Sequence, residues 1–201
     1  MRSDVTQRAR LSRHPQSIAS PELEIEVEVR RDASVLTLMY VARGDIEVVW
    51  LPKITEPARR DGLWQRTCFE AFVGSGHSTS YWEFNLSPSR EWAAYRFDGY
   101  RHGMAAEPSI NDPKIELQRD DSEVRLLATL HLFGIAGLSG RDDWRLGLSA
   151  VIEDKNGDKS WWALAHPPGK PDFHHAESFA LKLLDQRSNF ASSAQPPRPP
   201  R

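Results

Sequence analysis

The segment His-Pro-Pro-Gly-Lys-Pro-Asp-Phe-His-His, residues 166–175, holds the densest group of metal-binding residue types in the chain. His166, Asp172 and His174 offer two imidazoles and a carboxylate, which are donors that zinc and iron accept. His174 and His175 are adjacent, so an extended backbone directs their rings to opposite sides. The segment therefore predicts either the metal site of a metal-dependent enzyme or a hydrogen-bonded loop that forms the wall of a ligand pocket, with His166 in that wall.

Tryptophan side chains suggest a different chemistry. The chain has seven of them, and Trp161 and Trp162 are neighbours in a run that is rich in strand-forming residues. Successive side chains of a strand face opposite ways, so we expect one of these two indoles in the core and the other on an outer face. A flat indole on an outer face suits the apolar face of a sugar ring or a base.

Polar residues with a period of two accompany these aromatic residues. Counting by twos along residues 64–73 places Glu70 on one face, and the same count along residues 78–87 places Glu83 and Asn85 on one face. If the two segments pair through the turn between them, Glu70 approaches Glu83 or Asn85. These groups either bind the hydroxyl groups of a sugar or face solvent. A glycosidase would place paired carboxylates roughly 5–10 Å apart.

Catalytic fingerprints are absent from the sequence, which lowers the expectation of an enzyme. There is no G-x-x-x-x-G-K-[ST], H-E-x-x-H, G-x-S-x-G or G-x-G-x-x-G motif. The single cysteine, Cys68, excludes an internal disulfide and a cysteine-based zinc site, and we expect a small buried hydrophobic residue there. Residues 154–160 resemble a calcium loop only superficially, and a hairpin turn explains them better.

Short strands dominate the chain. In residues 22–30, apolar and charged residues alternate strictly, which is typical of a half-buried strand. We predict about eleven strands at regular spacing, no long helix and one helical turn within residues 131–140, a pattern that favours an antiparallel sandwich or barrel. The predicted core includes Phe69, Phe84 and Leu148. The predicted strands are residues 22–30, 35–42, 45–51, 64–73, 78–87, 92–100, 115–119, 123–132, 144–153, 159–166 and 178–184.

The two ends of the chain read as arms. Residues 1–20 contain four Arg and one Asp, and residues 186–201 contain three Arg and no acid, so the body between them is acidic in a chain whose net charge is −2. We expect a flexible basic arm over 1–20, one domain over 21–185 and a disordered Pro/Arg-rich tail over 186–201. An acidic body argues against nucleic-acid binding. No apolar run is long enough for a membrane span or a signal peptide, so we expect a cytoplasmic protein or one whose signal was removed before this numbering begins.

The residues that suit a sugar also carry a resemblance to a known family. Three segments, WQRTCFEAFVG at 64–74, YWEFNLSPSREWAAYRFDGYR at 81–101 and LGLSAVIEDKNGDKSWWALAHPPGKPDFHH at 146–175, resemble the DOMON-like domains. These domains are similar to the family-nine carbohydrate-binding modules, and the resemblance points to a bacterial group of stand-alone members. It covers most of residues 22–184. It implies an all-β fold, an antiparallel jelly-roll-like β-sandwich, which with the strands counted above has about ten to eleven strands.

The resemblance also implies a non-catalytic domain whose partner is a small molecule, most simply a carbohydrate or a sugar-containing metabolite. Sugar-binding members of this superfamily hold a sugar between two tryptophans. Trp64 matches the first of these, and Trp161 or Trp162 would supply the second. Glu83 and Asn85 fall on the strand that supplies polar contacts in such members, and Glu70 lies six residues after Trp64.

The resemblance leaves a haem module as another alternative. Haem-binding relatives hold the iron with a methionine and a histidine, and this chain offers Met39 or Met104 together with His166, His174 or His175. No cofactor is predicted under the carbohydrate hypothesis. Haem or a divalent metal belongs to the two alternatives.

Overall fold

The computed structural model describes residues 6–18, 21–76, 78–140 and 142–184, and this part of the chain is built from twelve β-strands without an α-helix. Three single 3₁₀ turns lie at Ile46–Val48, Leu63–Gln65 and Ala176–Ser178. No helix in the described ranges has the length and apolarity needed to span a bilayer. The strands are β1 (Thr6–Arg13), β2 (Leu23–Asp32), β3 (Val35–Gly44), β4 (Cys68–Ser75), β5 (Tyr81–Leu86), β6 (Trp92–Phe97), β7 (Ala105–Ala106), β8 (Lys114–Arg119), β9 (Glu123–His131), β10 (Trp144–Glu153), β11 (Lys159–Ala163) and β12 (Leu181–Leu183).

All of these strands pair antiparallel. Their order is β7-β6-β5-β4-β10-β11-β1-β2-β3-β9-β8, with β12 added to β10. We call β7-β6-β5-β4-β10-β11 with β12 the front sheet, and β2-β3-β9-β8 the back sheet. Buried side chains of both sheets form one core, so the sheets lie face to face as a β-sandwich. The predicted all-β antiparallel sandwich is confirmed.

Strand β1 joins the two sheets. Its residues from Thr6 to Leu11 pair with β2 of the back sheet, and Ser12 and Arg13 pair with β11 of the front sheet. This corrects the prediction of a flexible arm over residues 1–20, because a strand occupies much of that segment. The physical reason is that the arginines of this segment hide its apolar alternation. Leu11 is buried, while the arginines that face the acidic side chains of β2 point outward and form ion pairs with them. Residues 1–5, 19–20 and the predicted tail at 186–201 lie outside the described residues.

The core lies between the sheets. Phe69 and Phe84 of the front sheet and Leu148 of β10 are almost completely buried there, as predicted. Cys68 is also buried, but on the opposite, outer face of the front sheet, where it belongs to a second and smaller apolar cluster with Phe72 and its neighbours. The front sheet is therefore covered on both faces, which explains why β4 and β5 are buried along their whole length.

The structure tests three further local predictions. Residues 45–51 do not form the predicted strand. The chain turns sharply at Gly44, whose φ is +125° and where a Cβ would meet the carbonyl oxygen of Glu22 at 2.1 Å, so only glycine fits. A 3₁₀ turn follows, and Val48 and Trp50 form single backbone hydrogen bonds with Lys155 and Glu153 at the end of β10. After β9 ends at His131, residues 132–140 form turns and no helical turn. The hairpin at 154–158 is confirmed: Asp154 accepts hydrogen bonds from the backbone N–H groups of Asn156 and Asp158.

Loops cover the outer face of the front sheet. The segment before β4 is tied to β6 by backbone hydrogen bonds between Ala58, Arg60 and Trp92. The segment after β11 crosses β10 at Gly147, where a Cβ would come within 3.2 Å of the carbonyl oxygen of Ser178. These loops leave a pocket between them and the sheet.

Candidate functional site

The outer face of the front sheet carries the two glutamates singled out by sequence. In the β4–β5 ladder Glu70 is opposite Asn85, and Phe72 is opposite Glu83. The predicted proximity of Glu70 to Glu83 and Asn85 is therefore confirmed. The solvent-facing alternative is wrong, because the relative exposures of Glu70, Glu83 and Asn85 are 2%, 5% and 0%.

Each buried carboxyl group accepts one hydrogen bond from a side chain of the front sheet. The Ser149 hydroxyl donates to Oε2 of Glu70 at 3.0 Å, and the Asn85 amide donates to Oε1 of Glu83 at 2.7 Å. No side chain in the described ranges forms a hydrogen bond with the second oxygen, Oε1, of Glu70. A buried carboxyl group with an unused oxygen is available to a ligand hydroxyl group.

Burial changes the protonation of these acids. Burial, followed by the nearby charge of Glu83, raises the pKa of Glu70 to about 8, against a smaller lowering by the Ser149 hydrogen bond. Burial also raises the pKa of Glu83, while the hydrogen bond from Asn85 and the charge of Arg101 oppose that shift. At pH 7 Glu70 is therefore a neutral carboxylic acid, which can donate one hydrogen bond and accept others.

A pocket of about 380 Å³ opens above these acids. This volume falls within the range of small-molecule sites, ~300–1,000 Å³. Trp64 comes from the 3₁₀ turn before β4, is 49% exposed and presents an indole to this space. We call this space the tryptophan pocket. Its lining residues are Trp64, Glu70, Phe72, Glu83, Phe97, Arg101, Met104, Val151, Trp161, Pro171, Phe173 and His174.

The choice between the two adjacent tryptophans is resolved by register. Trp161 is opposite Val151 on β10, on the outer face, and it lines the tryptophan pocket. Trp162 is opposite Ala150, is only 5% exposed and lies in the inner core, where its indole N–H donates to Ser160. Trp162 therefore does not reach the pocket, which corrects its place among the candidate ligand-binding residues. Asn85 lies on the same face but is not part of the pocket lining, and it contacts the pocket through its hydrogen bond to Glu83.

An arginine that the sequence analysis did not identify closes one side of the pocket. Arg101 follows β6 in a tight turn and has a φ of +51°, a strained value for a residue with a side chain. Its guanidinium group forms an ion pair with Asp172 at 2.8 Å, and the hydroxyl of Tyr100 donates to the same carboxylate. Although burial raises the pKa of Asp172, these two hydrogen bonds outweigh it and lower that pKa, so Asp172 is ionised and fully engaged.

His174 borders the pocket as a neutral ring. Burial, with the charge of Arg101, lowers its pKa to about 4, so its 3.8 Å contact with Glu83 is not an ion pair at pH 7. The Tyr81 hydroxyl accepts a hydrogen bond from the backbone N–H of Arg101 at 3.2 Å and lies 2.9 Å from Nδ1 of His174. The Tyr81 hydroxyl and Nδ1 of His174 therefore share a hydrogen bond, and the other ring nitrogen, Nε2, faces Glu83.

The predicted metal site does not form. In the ranges that the structure describes, no group of three or more His, Cys, Asp or Glu side chains could hold a metal ion. His166 lies outside the tryptophan pocket, with Nε2 2.8 Å from the carbonyl oxygen of Ser12 on β1. Asp172 is occupied by Arg101, and His174 by Tyr81. His166 is thus the hydrogen-bonded loop anchor that the sequence analysis offered as the alternative, and its assignment to the ligand is corrected.

The haem alternative fits the same residues poorly. Met104 and His174 do line the same pocket, whereas Met39 lies against β1 and β2 on the back sheet. An iron ligand needs a ring nitrogen with free access to the metal, but Nδ1 of His174 is occupied by its hydrogen bond with Tyr81, and Nε2 faces Glu83 at 3.8 Å. The arrangement therefore does not suit axial ligation by His174.

Comparison with known proteins shows which solved structures have a similar fold. No protein-family model matches the sequence, and no curated protein matches it. A candidate carbohydrate-binding protein from Bacteroides uniformis has a similar structure, with a TM-score of 0.60 and 11% sequence identity over 87% of this chain and 83% of that one. A family-nine carbohydrate-binding module from Caldicellulosiruptor kristjanssonii, in complex with cellotriose, matches with a TM-score of 0.52 and 13% identity over 94% and 88%. The chain thus has the fold of the family-nine carbohydrate-binding modules.

Proposed function

We propose that this chain is a non-catalytic carbohydrate-binding domain whose ligand occupies the tryptophan pocket. The observation that carries the proposal is that Trp64 and Trp161, from two separate elements, line one pocket together with two buried glutamates. A sugar ring has apolar C–H faces and a rim of hydroxyl groups, so it needs flat aromatic surface and hydrogen-bonding groups side by side. The fold shared with a module that was solved with cellotriose supports the same proposal.

The polar groups of the pocket complement one another towards a hydroxyl-rich ligand. Protonated Glu70 offers a donor and an acceptor, the carboxyl group of Glu83 offers an acceptor, and the neutral ring of His174 adds a polar nitrogen. Arg101 adds a fixed positive charge at the rim. The orienting partners of these groups are protein side chains or main-chain groups, which reduces the ordering that binding would require.

The placement of the two acids differs from that in a glycosidase. A glycosidase has two carboxyl groups that flank the scissile bond. Here both acids stand side by side on adjacent strands of one face. This arrangement supports binding rather than bond cleavage.

The test is calorimetric titration of the protein with a panel of mono- and disaccharides and with cellotriose, up to millimolar concentration. Binding is expected for the wild type and for Phe133→Ala, which removes an aromatic ring that is 85% exposed and lies outside the pocket. Trp64→Ala should stay folded, because Trp64 is half exposed on a turn, and should lose binding at least about tenfold. Binding that survives Trp64→Ala, or an absence of binding by the whole panel, would overturn the proposal.

A further inference from the structure

A second pocket of about 440 Å³ lies beside the tryptophan pocket, and the function proposed above does not use it. Its walls come from the turn between β4 and β5, from β10 and from the loop before β12. His174 lines both pockets, so they adjoin at its ring. Tyr100 lines the second pocket and Arg101 the first, and both hold Asp172, so their shared contact marks the boundary.

Arg145 gives this second pocket its charge. It projects from β10 on the outer face of the front sheet, between Gly74 of β4 and Lys182 of β12. Its guanidinium group has no ion pair with any described carboxylate, and its Nε is enclosed without a hydrogen-bond partner. Its one hydrogen bond to a described residue is a long one, 3.5 Å from Nη2 to the carbonyl oxygen of Ser78. A guanidinium group has five N–H donors, and the described residues use few of those of Arg145.

The surroundings of Arg145 suit an anion attached to a ring. Consecutive hydroxyl-bearing residues, Ser78, Thr79 and Ser80, line the wall next to it, and the Phe179 ring supplies apolar surface. Gly74 lies beneath them, and a Cβ built there would stand 3.7 Å from Nη2 of Arg145 and 3.8 Å from the Phe179 ring. The missing side chain keeps the space over the guanidinium group open. The net charge of the chain is −2, so attraction of an anion here would be a local property of this pocket and not of the whole molecule.

We propose that the Arg145 pocket binds an anionic substituent, a carboxylate, sulfate or phosphate, of the saccharide whose neutral ring occupies the tryptophan pocket. The inference rests on the proposed function and names its substrate class as acidic saccharides. Guanidinium groups bind such oxyanions through paired, charge-assisted hydrogen bonds, and the hydroxyl groups of Ser78 and Ser80 add further donors, while that of Thr79 donates to the carbonyl oxygen of Asp98. The preference for acidic over neutral saccharides then comes from Arg145, while affinity for the ring comes from the tryptophan pocket.

The test compares cellotriose with two acidic counterparts, cellotriose ending in a uronic acid and cellotriose bearing a sulfate ester, by calorimetry at low salt. The wild type should bind an acidic form at least about tenfold more tightly than the neutral one, the size expected for hydrogen bonds to a charged group. Arg145→Gln should bring this ratio close to one. Arg145→Lys keeps the positive charge and should retain part of it. Arg119→Gln, which removes an exposed arginine from the back sheet, is the matched control and should keep the full ratio.

The outcomes separate the two proposals. Equal affinity for neutral and acidic ligands, or a preference that survives Arg145→Gln, overturns the anion subsite and leaves the carbohydrate site intact. Failure of every saccharide to bind overturns the proposed function and, with it, this inference. Inorganic sulfate is titrated in parallel. If sulfate binds through Arg145 while no saccharide is preferred over another, the pocket is an anion site unconnected with the sugar. That result also overturns the inference.

Discussion

The hydroxyl group of Tyr40 donates a 2.7 Å hydrogen bond to the main-chain carbonyl oxygen of Glu70. Tyr40 belongs to β3 of the back sheet and is fully buried, whereas the Glu70 side chain points to the other face of the front sheet. Burial raises the pKa of Tyr40 further above its ordinary range, so the donor stays protonated. The strand that presents the buried acid to the pocket is therefore fixed from behind by the opposite sheet.

The first prediction concerns this bond. Tyr40→Phe keeps the ring and leaves the Glu70 carbonyl group without its donor inside the core, so it should lower the free energy of unfolding by about 1–3 kcal/mol. Urea denaturation measures the loss. Tyr100→Phe, which removes a hydroxyl group from a side chain that is 59% exposed, is the control and should change stability by less than about 0.5 kcal/mol. Equal effects of the two variants would contradict the anchoring role.

The second prediction concerns Glu70 as a ligand-binding group. Because this carboxyl group is protonated at pH 7, Glu70→Gln replaces one neutral donor–acceptor pair by another, and sugar binding should weaken by only about 0.5–1.5 kcal/mol. Glu70→Ala removes both groups and should weaken binding more. Calorimetric titration at pH 7 distinguishes these effects. A loss beyond about 3 kcal/mol in Glu70→Gln would mean that the ionised form binds.

The third prediction is a pH dependence of stability. The pKa of Glu70 is raised from 4.5 to about 8 in the folded protein, so the folded state holds a proton that the unfolded state releases across that window. Stability from this group is full below pH 4.5 and is lost as the pH rises towards 8. The lowered pKa of His174, from 6.5 to about 4, acts in the opposite direction, and its contribution rises between pH 4 and 6.5.

Between pH 6.5 and 8 only the buried acids make the stability depend on pH. The melting temperature of the wild type should therefore fall in this interval. Glu70→Gln, which cannot ionise, should flatten the decline. Scanning calorimetry at half-unit steps of pH gives the profile. A wild-type melting temperature that rises over this interval would show that Glu70 is ionised in the folded protein.

The fourth prediction concerns β1. Leu11 is 2% exposed where this strand passes between the sheets, so Leu11→Ala should cost about 2–5 kcal/mol of stability. Leu184→Ala removes the same atoms from a side chain that is 51% exposed and should cost much less. Guanidinium denaturation of both variants provides the comparison. If both lose the same small amount, β1 contributes little to the folded state.

The sequence predicted the parts of the site that depend on local periodicity. Alternation along β4 and β5, joined by a short turn, was enough to place Glu70 beside Asn85 and near Glu83, since a hairpin determines both register and face. The same alternation placed the two tryptophans of β11 on opposite faces. Which of these two faces lies in the core depends on the strand that pairs with β11. The sequence of β11 alone does not show it.

Loops and long-range pairing explain what could not be predicted. Trp64 sits on a 3₁₀ turn and not on the predicted strand, and Arg101 reaches the pocket from a left-handed turn that no local pattern announced. The alternation within β10 places Arg145 on the outer face. That no described carboxylate pairs with it depends on three other elements. The one available signal for β1 was complementarity: arginines at every second position could have been matched to the glutamates of β2.

The pairing of β1 with β11 has a consequence for the order of folding. Ser12 and Ala163 are partners across this seam, although most of the chain lies between them. At ~5–20 residues per second, a ribosome needs roughly 8–30 s to synthesise the intervening residues. Throughout that time the Ser12–Arg13 end of β1 has no partner on its front-sheet side, while β2 can already pair with the rest of the strand. The sandwich therefore closes late, after β11 has left the ribosome, and nascent chains should depend on protection of that open edge until synthesis is nearly complete.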